Sequence, residues 1–268
     1  MEKYVILEKA VGETPLSCAE AFRATRPDLI GVPLSYAGRL DPMASGKLLV
    51  LIGEECKNQS NYHNLDKEYE FSVLFGISSD TQDVLGRLDT EKITPKLSSE
   101  DIRAVIKTLI GSLTVPYPLF SAKTVLGKPL HMWTLEGRLN EIEIPTRTST
   151  IYELELTGVK TLTRSEVAKQ ALEKIEKIPE VTDPRKALGN DFRRVDVRSD
   201  WKKIAEYNTL PELYTVASFR CVASSGSYMR TLATIIAEKL DTTGLAWSIH
   251  RTQVGTYNKD SSTWNFEY

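Results

Sequence analysis

Apolar positions along this 268-residue chain fall into two periods, one suited to strands and one to helices. Tyr4-Val-Ile-Leu7 predicts a short strand. Thr14-Pro15 then supplies a helix cap with proline at the first helical position, and the helix is expected to reach about Arg26 with Leu16, Ala19 and Phe22 inward. Leu48-Leu-Val-Leu-Ile52 is a continuous apolar run, the pattern of a buried strand. Tyr69, Phe71, Val73 and Phe75 alternate with Glu70, Ser72 and Leu74, which predicts a strand with one buried face. Ser98 to Asp101 reads as a capping box for a helix carrying Ile102, Val105, Ile106, Leu109 and Ile110, ended by Gly111. Residues 142–156 read as paired strands and residues 165–178 as a helix, beyond which Pro179, Pro184 and Gly189 break the helical pattern. Tyr214–Val222 predicts a strand, Leu232, Ile235, Ile236 and Leu240 the buried stripe of a helix, and Trp247–Gly255 a last strand.

Composition changes this picture little. Apolar and charged fractions are those of an ordinary soluble protein, and no apolar run is long enough to span a bilayer. No signal peptide is expected, and the scattered cysteines Cys18, Cys56 and Cys221 point to free thiols in a reducing cytoplasm. His63, His131 and His250 fall in unrelated segments, so no metal site is expected. A net charge of −2 weighs against a nucleic-acid partner unless a local basic groove exists.

Candidate chemistry centres on Ser35-Tyr-Ala-Gly-Arg-Leu-Asp-Pro-Met-Ala-Ser-Gly46. Asp41 stands on a short turn fixed by Pro42 and flanked by Gly38 and Gly46, next to the buried run at Leu48. Arg230, in Ser224-Ser-Gly-Ser-Tyr-Met-Arg-Thr-Leu232, lies near the first turn of its helix. A cation there opposes the helix dipole at a cost of roughly 0.3–1 kcal/mol, which invites a functional reason.

Several strings, in order, resemble the TruB family of pseudouridine synthases. The Asp41 segment matches that family's Gly-x-Leu-Asp-Pro-x-Ala-(Thr/Ser)-Gly-x-Leu pattern. Lys67-x-Tyr69 and Gly76-Ile-Ser-Ser-Asp-Thr-Gln-Asp83 match the next block, and Pro116–Lys123 with Pro145-Thr-Arg147 another. Ser227–Leu232 and Trp247–Gly255 match the last two, while Lys9-Ala-Val-Gly12 lacks the proline of the family's corresponding segment.

The resemblance implies an α+β fold, a synthase core with a central mixed, largely antiparallel sheet flanked by helices. It implies one catalytic domain over residues 1–268, a monomer, with a helical insertion at 160–213 and no C-terminal PUA module. Within that insertion Arg193-Arg194, Arg198 and Lys202-Lys203 read either as RNA-phosphate contacts or as a solvated helix face. The implied activity is isomerisation of uridine to pseudouridine without cofactor or metal, most specifically at the T-loop uridine of tRNA (position 55). Asp41 would be the catalytic carboxylate, Arg230 its partner, and Tyr69 the face on which the flipped base stacks. Tyr228 and Ile249 would be further pocket walls, and Lys67 and Arg251 phosphate contacts. Tyr36 stands where relatives often carry a histidine that fills the space left by the flipped base. Alternatives are the same chemistry on another RNA, or an RNA-binding protein that keeps the fold without catalysis.

Overall fold

The computed structural model describes residues 2–90, 97–179 and 193–266. Among these, nine strands form one mixed sheet: β1 (Tyr4–Lys9), β2 (Leu34–Ala37), β3 (Ala44–Ile52), β4 (Asp66–Phe75), β5 (Gly111–Pro116), β6 (Thr146–Thr163), β7 (Leu213–Ala223), β8 (Gly244–Asn258) and β9 (Thr263–Asn265). Their order is β1-β3-β8-β4-β7-β6-β5, with β2 also paired to β3 and β9 to β8. Every pairing is antiparallel except that of β3 with β8. That parallel pairing aligns Ala44–Gly46 with Ile249–Arg251, so the start of β3 lies beside the middle of β8.

The apolar run at Leu48 is explained by burial on both faces. Leu48 and Val50 pack with Cys18 and Ala19 of helix α1 (Pro15–Ala24), while Leu49 and Leu51 pack with Ala37, Tyr62, Leu65 and Val254. α1 is shorter than its sequence pattern predicts and rotated. Cys18 and Ala19 face inward, whereas Leu16, about 200° around the helix from Cys18, is 51 % exposed. β4 also departs from the expected single buried face. It runs between β8 and β7, and Ser72 and Leu74 are buried as well as Phe71, Val73 and Phe75.

The main core lies against the β4, β6, β7 and β8 part of the sheet. Helices α2 (Ser99–Lys107), α4 (Arg164–Glu176), α5 (Arg194–Glu206) and α6 (Met229–Glu238) contribute to it, and the short α3 (Leu130–Leu135) comes after β5 in the chain. The predicted capping box forms at α2: Ser98 accepts from the Asp101 amide and Asp101 accepts from the Ser98 amide. Residues 142–156 are not a strand pair. They enter one long strand, β6, whose partners are β5 and β7, and which continues through residue 160 to Thr163. The helical stretch therefore begins at Arg164. The breaks expected at Pro184 and Gly189 lie outside the described residues.

α4 and α5 are part of the core rather than an appendage. Trp201 is fully buried, its ring centroid lies 6.0 Å from that of Trp247, and its indole N–H donates to the Val84 carbonyl at 3.0 Å. Two of the arginines of this stretch are engaged within the protein, whereas Lys202 and Lys203 lie on an exposed face. Arg193 pairs with Asp80 and Arg198 with Glu176, so neither is a freely solvated cation nor held open for phosphate.

Candidate active site

Between β2 and β3 the chain turns through Leu40–Met43, closed by the Ala44 amide donating to the Asp41 carbonyl at 3.0 Å. Gly46 allows this loop to sit against β8. Its φ is +104°, and a Cβ there would meet the Arg251 carbonyl oxygen at 2.2 Å. Any side chain would push β3 from β8 and carry the Asp41 turn with it.

Arg230, the second residue of α6, meets Asp41 across the sheet. Its Nε donates to Oδ2 of Asp41 at 2.8 Å and Nη2 to Oδ1 at 3.4 Å. Two further donors go to backbone carbonyls, Nη1 to Thr81 at 2.7 Å and Nη2 to Phe120 at 3.2 Å. The Arg230 side chain is 4 % exposed, whereas that of Asp41 is 41 % exposed. The arginine is thus a buried fork held from four of its N–H donors, and the carboxylate it grips is presented to solvent. Asp83 lies behind it, with Oδ2 3.9 Å from Nε of Arg230, and accepts from Thr81 Oγ1 at 2.6 Å and the Leu85 amide at 2.9 Å. Burial pushes the Asp83 carboxyl above its ordinary range, opposed by the adjacent guanidinium. The cation in the first turn of α6 is therefore balanced by two carboxylates, which answers the conflict with the helix dipole.

Asp41 opens into a cavity of about 730 Å³. Tyr69, Tyr228, Ile249, Lys67 and Arg251 line it, so all five of these sequence candidates converge on Asp41 and Arg230. Tyr69 reaches it because β4 lies next to β8, where Tyr69 is in register with Arg251. Tyr69 is buried, and burial raises its phenol above the usual value, keeping it protonated. Tyr228 caps α6, with its ring 5.9 Å from Tyr117 in an edge-to-face arrangement. Ile249 supplies an apolar wall and is also buried.

Lys67 and Arg251 are at the cavity floor rather than on its rim, 6 % and 1 % exposed. Arg251 donates from Nε to the Lys47 carbonyl at 2.6 Å and from Nη2 to the Gly38 carbonyl at 2.9 Å, tying both ends of the Asp41 loop to β8. Lys67 donates to the Leu65 carbonyl, and burial, aided by Arg251, lowers its ammonium to about 7. Lys9, the remnant of the incomplete Lys-Pro-x-Gly segment, is likewise buried. It donates to the Ala44 carbonyl at 2.6 Å, and burial lowers it to about 8.

Tyr36 is not brought to the cavity. It lies on β2 and packs by its half-buried ring against the Cys18, Ala19, Leu48 and Val50 cluster. The alternation of β2 turns Ala37 to one face and Tyr36 to the other, toward α1.

The cavity also contains residues to which no role fell from the sequence: Tyr117, Phe120, Lys123 and Arg147. Arg147 passes over Gly226, where φ is +87° and a Cβ would stand 1.6 Å from the guanidine Nε, and it donates to the Ser225 carbonyl at 3.0 Å. Among the described lining residues six are Lys or Arg (Arg39, Lys67, Lys123, Arg147, Arg230 and Arg251) and one, Asp41, is acidic. The net charge of −2 thus conceals a strongly cationic concavity, and the objection to a polyanionic partner lapses.

Comparison with known proteins bears on this geometry. A family model described as TruB family pseudouridylate synthase (N terminal domain) matches residues 33–171. The tRNA pseudouridine synthase B of Caldicellulosiruptor saccharolyticus is 26 % identical over 258 residues, covering 96 % of this chain and 69 % of the relative. The tRNA pseudouridine synthase 4 of Saccharomyces cerevisiae is 35 % identical over 126 residues, 47 % of this chain and 31 % of its own length. The Bacillus cereus tRNA pseudouridine synthase B is 28 % identical over 242 residues, and the match covers 62 % of that protein, so several relatives extend well beyond the aligned part. Among solved structures, a chain of a Cbf5-Nop10-Gar1 complex superposes over 94 % of this chain and 49 % of its own, with a TM-score of 0.53 at 15 % identity, a likeness of fold. Since the family model spans more than half of the residues, including both the Asp41 loop and Tyr69, the chain belongs to the TruB family of pseudouridylate synthases.

Proposed function

We propose that this protein isomerises uridine to pseudouridine in RNA, and that its substrate is the T-loop uridine of tRNA. The observation that carries the reading is the Asp41–Arg230 pair, a solvent-presented carboxylate held by a buried guanidinium at the mouth of a cationic cavity with aromatic walls. Family membership supports the chemistry, and the names of the matched relatives support tRNA.

Pseudouridine formation breaks the bond between N1 of uracil and the ribose C1′, turns the base, joins C5 to C1′, releases the proton of C5 and leaves N1 carrying one. Atoms are conserved and no oxidant or reductant is required. Asp41 is the acidic residue of the described cavity lining, so it supplies the carboxylate, either as a nucleophile or as the base for a ribose proton. Arg230 favours the ionised carboxylate and fixes its direction through the paired N–H donors.

A stacked uridine cannot reach Asp41 and has to be extruded. A 730 Å³ cavity is large enough for a nucleotide. Tyr69 and Tyr228 give the extruded base flat faces, Ile249 closes the apolar side, and the Tyr69 phenol, protonated in its buried site, can carry the C5 proton only by passing its own on as it takes that one up. Lys123 and Arg147 suit the flanking phosphates, and Lys67, on the cavity floor, suits the phosphate of the extruded nucleotide itself. The free thiols of Cys18, Cys56 and Cys221 fit a reducing cytoplasm. No described helix is long and apolar enough to cross a membrane.

The test is chemical mapping of pseudouridine in transcribed tRNA and ribosomal RNA fragments incubated with the protein. Conversion at the T-loop supports the full reading. Conversion only elsewhere keeps the isomerase and rejects the tRNA site, and no conversion with RNA bound rejects catalysis.

A further inference from the structure

Arg230 owes its direction to two backbone carbonyls, Thr81 and Phe120, and both belong to segments that one residue outside the cavity holds. Arg193, immediately before α5, adopts a left-handed backbone (φ 62°) that turns its side chain back toward the active site. Its guanidinium makes a two-point bond with Asp80, Nη1 to Oδ2 at 2.5 Å and Nη2 to Oδ1 at 2.9 Å. The same guanidinium lies over the Phe120 ring, with Cζ 4.7 Å from the centroid. Asp80 precedes Thr81, and its Oδ1 also accepts from the Arg87 amide at 3.0 Å, closing the loop that carries Asp83. One planar cation thus clamps the two stretches whose carbonyls orient the catalytic arginine. A non-glycine residue in the left-handed region is uncommon, and the strain is offset by this bidentate pair and ring contact.

We infer that Arg193 is a positioning residue for uridine isomerisation: through Asp80 and Phe120 it fixes the Thr81 and Phe120 carbonyls, and so aims Arg230 at Asp41. The remainder of α5 braces the same loop, with Arg87 donating to Asp200 at 2.6 Å and Trp201 to the Val84 carbonyl. The helix α5, which lies outside the cavity lining, is therefore part of the catalytic scaffold.

The inference rests on the isomerase reading proposed above, and its test has one arm that does not. Arg193→Ala is expected to lower kcat by roughly 10- to 100-fold with KM and RNA affinity unchanged, because the reacting carboxylate is misaimed while the cavity is intact. Arg193→Lys, which keeps the charge and the ring contact but loses the fork, is expected to recover part of that loss. Should Arg193→Ala fail to fold, Asp80→Asn serves instead, since its one oxygen still accepts from the Arg87 amide while the charge and the second acceptor for Arg193 are lost.

The second arm tracks the Nε–H signal of Arg230 by nitrogen-15 NMR in the RNA-free protein, assigned by its loss in Arg230→Lys. Slow solvent exchange in wild type and fast exchange in Arg193→Ala or Asp80→Asn supports the inference whether or not turnover is seen. Unchanged exchange, or unchanged kcat in an active wild-type background, overturns it. An inactive wild type with the NMR change present defeats the isomerase reading alone.

Discussion

Two arginines of the same sheet-and-helix scaffold bind carboxylates, and they do opposite things with them. Arg220 on β7 donates from Nη2 to Glu68 at 2.6 Å and from Nη1 to Glu153 at 2.6 Å. Both acids are tied again, Glu68 by Thr252 at 2.7 Å and Glu153 by the Tyr257 hydroxyl. The Arg220 side chain is 31 % exposed and its partners 18 % and 25 %, so cation and acids share one half-solvated cross-strand cluster. At Arg230 the burden is uneven: the guanidinium is buried and uses carbonyls for its spare donors, while Asp41 is left with a free edge toward the cavity. A carboxylate saturated with donors is a strut, and one held from behind with an open edge is available to react. The difference lies in which partner is exposed, not in the number of ion pairs.

The largest effect expected from breaking this asymmetry is at Asp41. Asp41→Asn keeps the size and one acceptor oxygen for Arg230 but cannot carry the negative charge, so turnover is expected to fall by about 10^3-fold or more with RNA binding retained. Arg230→Ala removes the rear support and strands buried Asp83; single-turnover rates are expected to fall about 10^2-fold, and denaturant unfolding to show a loss of about 3 kcal/mol. Full activity in Arg230→Ala would show that the pair is merely structural.

Lys67 sharpens the comparison through pH. In the free protein burial lowers its ammonium to about 7, so the charged form predominates below that pH and is progressively lost above it. A bound phosphate favours the charged form, so binding above pH 7 takes up a proton, and RNA affinity is expected to decline as pH rises through that value. Lys67→Arg, always charged, should flatten the profile. An equal slope in both proteins, measured by RNA titration on either side of pH 7, would remove Lys67 from phosphate binding. The smallest effect belongs to the strut: Arg220→Met is expected to cost about 1 kcal/mol in stability and leave turnover unchanged, and a lost activity there would erase the distinction between the two arginines.

How far the sequence reveals these features depends on the range over which each is determined. Asp41 is visible because its turn is local: Asp-Pro, two glycines and a buried run define it within a single short stretch. Arg230 is visible because it violates a local rule at a helix start. Tyr69 shares a strand face with Lys67 two residues earlier, and that spacing carries the burial of both, although a phosphate-binding reading of Lys67 suggests a surface cation. Tyr36 fails because position before a motif does not say which face of β2 a side chain takes. Arg193 is invisible as a clamp. It sits among other cations that read as one helix face, and its partner Asp80 is 113 residues earlier in the chain. The cationic cavity is hidden for the same reason, since its six basic residues come from well-separated segments and are outweighed in the total by acids elsewhere.

The decisive experiment is a site-by-site map of pseudouridine in transcribed tRNA, made with wild type and with Asp41→Asn at matched RNA occupancy. Conversion by wild type and none by the variant, though both bind, is the expected result. Conversion by Asp41→Asn at a comparable rate would contradict it, and would move the chemistry away from the carboxylate that Arg230 holds.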